Sequence, residues 1–104
     1  MDYKVVWSPE AIEDVESIAE YIGRDSLFYS QAVVTKVLET TQNIKDFPLA
    51  GRVVPELGDT KVREWFVYSY RLIYRIKNQT ILVVAVIHGK RLFESIAGRF
   101  EDQS

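Results

Sequence analysis

Apolar residues recur along the chain with two different periods, and the switch between them divides it. Ala11, Ile12, Val15, Ile18, Ala19 and Ile22 return every three or four residues, which predicts one stripe of an amphipathic helix. Ser8 is placed to cap that helix, Pro9 fits its first position and Glu10 suits the positive end of its dipole. Gly23 is a natural stop. A second stripe runs through Val33 or Val34, Val37, Leu38, Thr41, Ile44 and Phe47, with Asp25 or Ser26 as cap and Pro48 as terminator. The short connection predicts an antiparallel helical hairpin.

Before and after the hairpin the pattern is that of strands. Tyr3–Trp7 is short and rich in β-branched and aromatic residues. Val62–Val67, Tyr70–Lys77 and Thr80–His88 follow, separated by the two-residue turns Tyr68-Ser69 and Asn78-Gln79. In the middle run Tyr70, Leu72, Tyr74 and Ile76 point one way, and Arg71, Ile73, Arg75 and Lys77 the other. The run Ile81–Ile87 is apolar on both faces, as a central strand should be. Residues 48–60 have the proline and glycine content of a loop. A short helix is expected over Leu92–Phe100. The resulting order, β-α-α-β-β-β, predicts an α+β fold in which a helical hairpin packs on a mostly antiparallel four-stranded sheet, in one domain spanning 1–104.

Composition narrows the chemistry. The 104 residues include no cysteine, which excludes a disulfide framework, a thiolate metal site and a cysteine nucleophile. His88 is the lone histidine and no acidic cluster at ligand spacing accompanies it, so neither a metal nor another cofactor is expected. Glycine-rich phosphate loops and the Gly-x-Ser-x-Gly elbow are missing. The longest apolar run is far too short to span a bilayer, and Met1–Trp7 holds no apolar leader segment, so the expected location is cytoplasmic.

Charge is uneven. The net charge is −2, yet residues 1–50 carry −5 and residues 51–104 carry +3. The cations Arg63, Arg71, Arg75, Lys90 and Arg91 gather on the strands and their ends, interleaved with Trp65, Phe66, Tyr68 and Tyr70. Arg71 and Arg75 share a face of one strand, and Arg63 lies across a hairpin from them. Such a set suits a phosphate backbone or an acidic protein segment. His88 stands beside it as a potential acid or base.

The series Trp7-Ser8-Pro9 with Ala11, Asp14, Ile18 and Tyr21-Ile22, then Phe47-Pro48-x-x-Gly51-Arg52, Arg63-Glu64, Tyr70-Arg71-Leu72-x-Tyr74-Arg75 and His88-Gly89-Lys90-Arg91 resembles the RelE/ParE toxins of type II toxin–antitoxin (plasmid stabilisation) modules. The resemblance covers nearly the whole chain. It implies a growth-inhibiting toxin that an antitoxin neutralises by wrapping over helices and sheet, in a toxin–antitoxin hetero-oligomer. RelE-like members are ribosome-dependent mRNA endoribonucleases (mRNA interferases), and ParE-like members poison DNA gyrase. By the resemblance Arg71 and Arg91 match two arginines of the RelE pattern, and Arg63 stands near the first of its two lysines. Trp65 occupies the place of the second lysine and Ala97 that of a tyrosine, so the acid–base set is incomplete unless His88 substitutes. If the protein is a nuclease, Arg71, Arg91, His88 and Arg63 are the catalytic candidates. If it is not, Arg63, Trp65, Arg71, Arg75, Lys90 and Arg91 are the candidates for contact with target or antitoxin. The long hairpin, the Phe47-Pro48…Gly51-Arg52 loop and the acidic total favour the ParE-like branch over an mRNA interferase or a non-toxic module that retains the fold.

Overall fold

The computed structural model describes residues 2–91 and 93–100. Strand β1 (Lys4–Trp7) leads into α1 (Pro9–Gly23) and α2 (Leu27–Asp46). Then come β2 (Arg52–Val53), β3 (Val62–Val67), β4 (Tyr70–Lys77) and β5 (Thr80–His88), followed by two 3-10 turns, Phe93–Ser95 and Ala97–Phe100. The strands form one sheet in the order β1-β5-β4-β3-β2, with β1 parallel to β5 and the remaining pairs antiparallel. The expected architecture is present with one strand more than anticipated. Arg52 and Val53, assigned to loop by composition, pair with Glu64 and Arg63. The expected C-terminal helix is replaced by the two turns, and its first residue, Leu92, lies outside the described residues.

Capping follows the sequence. The Ser8 side chain accepts the Ala11 N–H at 3.0 Å and that of Ser26 accepts the Tyr29 N–H at 3.2 Å, each satisfying a donor the first turn leaves unpaired. The Ser30 hydroxyl donates to the Ala19 carbonyl at 2.7 Å and ties the two helices together.

Both faces of the sheet are covered. On one, Ala11, Val37 and Ile44 of the helices meet Val67, Leu72, Tyr74, Ile81, Val83 and Val86, with Ile18 and Trp65 packed alongside. On the other, Val54, Val62, Ile73, Ala85 and Ile87 lie beneath Phe93 and Ile96 of the C-terminal turns. The β4–β5 register steps from Ile73↔Ala85 to Tyr74↔Val83, leaving Val84 as an extra residue. This bulge changes which β5 residues face the helices: Ile81 and Val83 before it, Val86 after it. The unbroken apolar run of β5 serves two cores.

β1 pairs with β5 only as far as Trp7↔Val83, so the rest of that edge of β5 needs other partners. Asp14 of α1 accepts the Val86 N–H at 3.0 Å. Arg99 donates to the Val84 carbonyl at 3.1 Å and grips Asp14 at 2.7 and 3.1 Å. The hydrogen bonds to Asp14 raise the Arg99 pKa above its ordinary value. A side-chain ion pair thus completes a backbone ladder.

Two helical positions depart from the predicted stripes. Leu38 is 53% exposed and Ile12 46%, because each stripe is narrower than its run of apolar residues. Phe47 is exposed as well, as the helix ends there. Replacing Ile44 with alanine should cost about 2–5 kcal/mol, whereas Leu38→Ala should stay within about 0.5 kcal/mol. Denaturant unfolding of both variants checks the pair. Asp14→Ala and Arg99→Ala should each destabilise the fold, and their double variant by less than the two effects added, with a coupling of about 0.5–3 kcal/mol in a double-mutant cycle.

Candidate functional site

The strand cations do not form one surface. Arg63 lies on the helical side, opposite Tyr74 in the β3–β4 register. Its guanidinium donates to the carbonyls of Thr60 at 3.0 Å, Leu49 at 3.1 Å and Gly51 at 2.9 Å. Beside it the buried Tyr74 hydroxyl donates to the Pro48 carbonyl at 2.7 Å, and burial raises its pKa. Together the two side chains fasten the 48–60 loop to the sheet. Gly51 is required there, since a Cβ would meet the Tyr74 hydroxyl and lie 2.8 Å from the Glu64 carbonyl oxygen.

Arg71 lies on the other side, with its side chain only 7% exposed. Its Nε donates to Glu64, and its two terminal nitrogens grip Glu56 at 2.9 and 2.8 Å. Glu64 is fully buried and also accepts from Arg52 Nε. The bidentate bond to Glu56 is the largest of the interactions holding the Arg71 pKa above its ordinary value. The same bond lowers that of Glu56. The Arg71 fork, which a phosphate would need, is filled by a carboxylate of the protein itself. The sequence marks Arg71 as a candidate ligand for phosphate, target or antitoxin, and pairs it with neither Glu56 nor Glu64 of its own chain. The signal for Glu64 was present, because a charged residue interrupts the alternation Val62-x-Glu64 on an inward face.

Arg75 stands further along the same face as Arg71, opposite Val62. Trp65 is half-buried against the helical core. The remaining candidates meet at the end of β5. The exposed His88 accepts the Lys90 N–H on Nδ1 at 3.1 Å, which leaves Nε2 to carry the proton of the neutral ring. Its ring stands edge-on to Tyr70, 5.6 Å away. Arg91 is exposed and donates to Ser95 at 2.7 Å. His88, Arg91, Tyr70 and Tyr21 line an open groove of 420 Å³ between α1 and the end of β5.

Nearby, the end of β3 presents Phe66, 50% exposed, and the β3–β4 turn presents Tyr68, 64% exposed. Gly89 donates to the Ser69 carbonyl at 2.7 Å, which holds this turn against the end of β5. The Arg52 guanidinium lies 5.3 Å from the Phe66 ring centre. Tyr68 has a φ of 54°, a conformation bulky residues rarely adopt. Cations and exposed aromatic rings at one end of a rigid sheet form a surface suited to binding a macromolecule. Among the described residues no cluster of three or more His, Asp or Glu stands where it could hold a metal ion. No helix there is long and apolar enough to cross a membrane.

Residues 5–93 match the family described as the ParE toxin of the type II toxin–antitoxin system parDE. The chain is 27% identical over 90 residues to Toxin RelE2 of Caulobacter vibrioides, an alignment covering 86% of this chain and 98% of that one. Its fold is similar to a chain of the chromosomal ParDE toxin–antitoxin system of P. aeruginosa, with a TM-score of 0.68 at 16% identity, covering 83% and 95% of the two chains. It is also similar to a chain of the RelBE2 toxin–antitoxin complex of Mycobacterium tuberculosis, with a TM-score of 0.58 at 22% identity and coverage of 85% and 99%. The protein belongs to the ParE toxin family within the RelE/ParE superfamily.

The Glu56–Arg71 pair gives a pH dependence. The folded-state pKa of Glu56 is lowered from its ordinary 4.5, so its contribution is fully present above that value and is lost as pH falls through the lowered one. Thermal melts from neutral pH down through this acid range should show a falling Tm. Glu56→Gln should begin less stable and lose less over the same range.

Proposed function

We propose that the protein is a ParE-like toxin that arrests growth by acting on DNA gyrase, without nuclease chemistry, and that a cognate antitoxin protein neutralises it. The observation that carries this reading is the filled Arg71 fork. Phosphodiester cleavage needs groups that hold the phosphate and move protons at two oxygens. Arg71 is closed off by Glu56 and Glu64, and Arg63 is committed to three backbone carbonyls on the opposite face. His88 and Arg91 are left without a phosphate-holding partner from the strands. The family match supports the toxin assignment. The exposed end of β5, with Lys90, Arg91, Phe66 and Tyr68, offers the contact surface.

Purified protein should inhibit gyrase supercoiling or trap cleaved DNA–gyrase complexes, at concentrations matching those that stop growth. A Lys90→Ala/Arg91→Ala variant should need about tenfold more protein, equivalent to about 1.4 kcal/mol of lost interaction. Normal supercoiling together with discrete cuts in translated mRNA would overturn the proposal in favour of an mRNA interferase. Unimpaired growth with neither effect would overturn it in favour of a non-toxic binding module.

A further inference from the structure

Two hairpins of the sheet turn through two residues each. Lys77 pairs with Thr80 across Asn78-Gln79, and Val67 pairs with Tyr70 across Tyr68-Ser69. In both, the first turn residue has a positive φ, 56° at Asn78 and 54° at Tyr68. They are the two non-glycine residues so placed among those described. Asparagine tolerates this left-handed region, because its short amide can bond to nearby backbone. Tyrosine has no such compensation, and its Cβ crowds the following carbonyl oxygen. One chain therefore meets the same demand with a fitting residue at one turn and a misfit at the other.

Packing within the fold gives no reason for the misfit. The Tyr68 ring is largely exposed, belongs to neither core and pairs with no other ring among the described residues. Its conformation is nevertheless fixed. The β3–β4 ladder runs to both ends of the turn. Gly89 holds the Ser69 carbonyl at 2.7 Å, and a Cβ on Gly89 would lie 3.1 Å from that oxygen, so the close approach depends on the glycine. The edge-on Tyr70–His88 pair flanks the turn on one side, and the exposed Phe66 stands two residues before Tyr68 on the other. Strain that the surroundings over-determine, at a side chain that packing does not use, is a mark of function.

The turn itself carries a phenol and a hydroxyl, Tyr68 and Ser69, and no cation. A phosphate backbone is therefore not what it is shaped to hold. A rigid aromatic knob matches the anchors that seat in pockets of a folded protein partner. Fixing the ring before binding lowers the cost of ordering it, which helps where the pocket is preformed. A segment that wraps and folds as it binds adapts itself to the toxin and gains little from a fixed knob. The knob is also continuous with the cations of the proposed contact surface, since Lys90 and Arg91 directly follow the Gly89 that clamps the turn. We propose that Tyr68 is kept in this strained turn because its ring anchors the toxin in a pocket on the surface of gyrase, at the expense of stability in the free protein. The proposal rests on gyrase being the target.

The test sets stability against activity in the purified full chain. Tyr68→Asn, which copies the residue of the other turn, should raise Tm by about 2–5 °C. The same variant should need at least about tenfold more protein for equal inhibition of gyrase supercoiling. A variant that melts above wild type cannot owe its weakness to unfolding, and this opposition of the two readouts is what a merely structural role would not produce. Tyr68→Phe keeps the ring and should stay within about threefold of wild type in inhibition. A lower Tm for Tyr68→Asn would overturn the proposal, because the tyrosine would then be serving the fold. Equal inhibition by Tyr68→Asn and wild type would overturn it while the gyrase reading stands, and weaker neutralisation of that variant by the antitoxin would reassign the ring to that partner. A matching loss of affinity for free DNA, read by fluorescence anisotropy, would overturn it in favour of stacking on a base. Wild type that leaves supercoiling unchanged would overturn the gyrase reading and the proposal together.

Discussion

A buried carboxylate governs the second face of the sheet. Glu64 on β3 is fully removed from water, and an isolated charge there would cost several kcal/mol. Two guanidinium groups meet it, Arg71 from β4 and Arg52 from β2. This fixes what surrounds it. Arg52 draws the first part of the 48–60 loop into the sheet as a short strand. Arg71 is oriented with its fork outward, and Glu56 closes over it. The loop that composition marks as irregular is held by charge on this side and by Arg63 and Tyr74 on the other.

That arrangement also shapes the functional reading. The arginine of the Tyr70-Arg71-Leu72 motif bonds to Glu56 and Glu64 of its own chain. The exposed rings and cations gather at the end of β5 instead. Family membership and the toxin–antitoxin context rest on the match over residues 5–93. The target reading rests on the chemistry that Arg71 and Arg63 are prevented from performing.

Much of the fold was legible because its signals are local. Strands β3, β4 and β5 have the limits that alternation and turn residues predict, and Ser8 and Ser26 cap the helices as expected. The asymmetric burial of α2 was not legible, since Leu38 and Ile44 look alike until the angle between helix and sheet is known. The bulge at Val84 was hidden inside a uniformly apolar run, and β2 depends on a salt bridge between residues 12 apart. The site was less legible than the fold for the same reason. Arg63, Arg71 and Arg91 were visible as cations, but whether each is free or bound depends on distant carboxylates and carbonyls. Pattern reading counts charges without pairing them.

The pair formed by Asp14 and Arg99 joins residues 85 positions apart. The parallel β1–β5 ladder likewise spans most of the chain. A helical hairpin assembles from neighbours in sequence, but these contacts require closing a loop nearly as long as the protein. During synthesis α1 and α2 are made before β3, β4 and β5, the strands they must cover. The open edge of β5 is sealed only once the last turn has been made. Completion of this fold therefore waits for Arg99, and the edge of β5 acquires its finished surface only after synthesis has passed that residue.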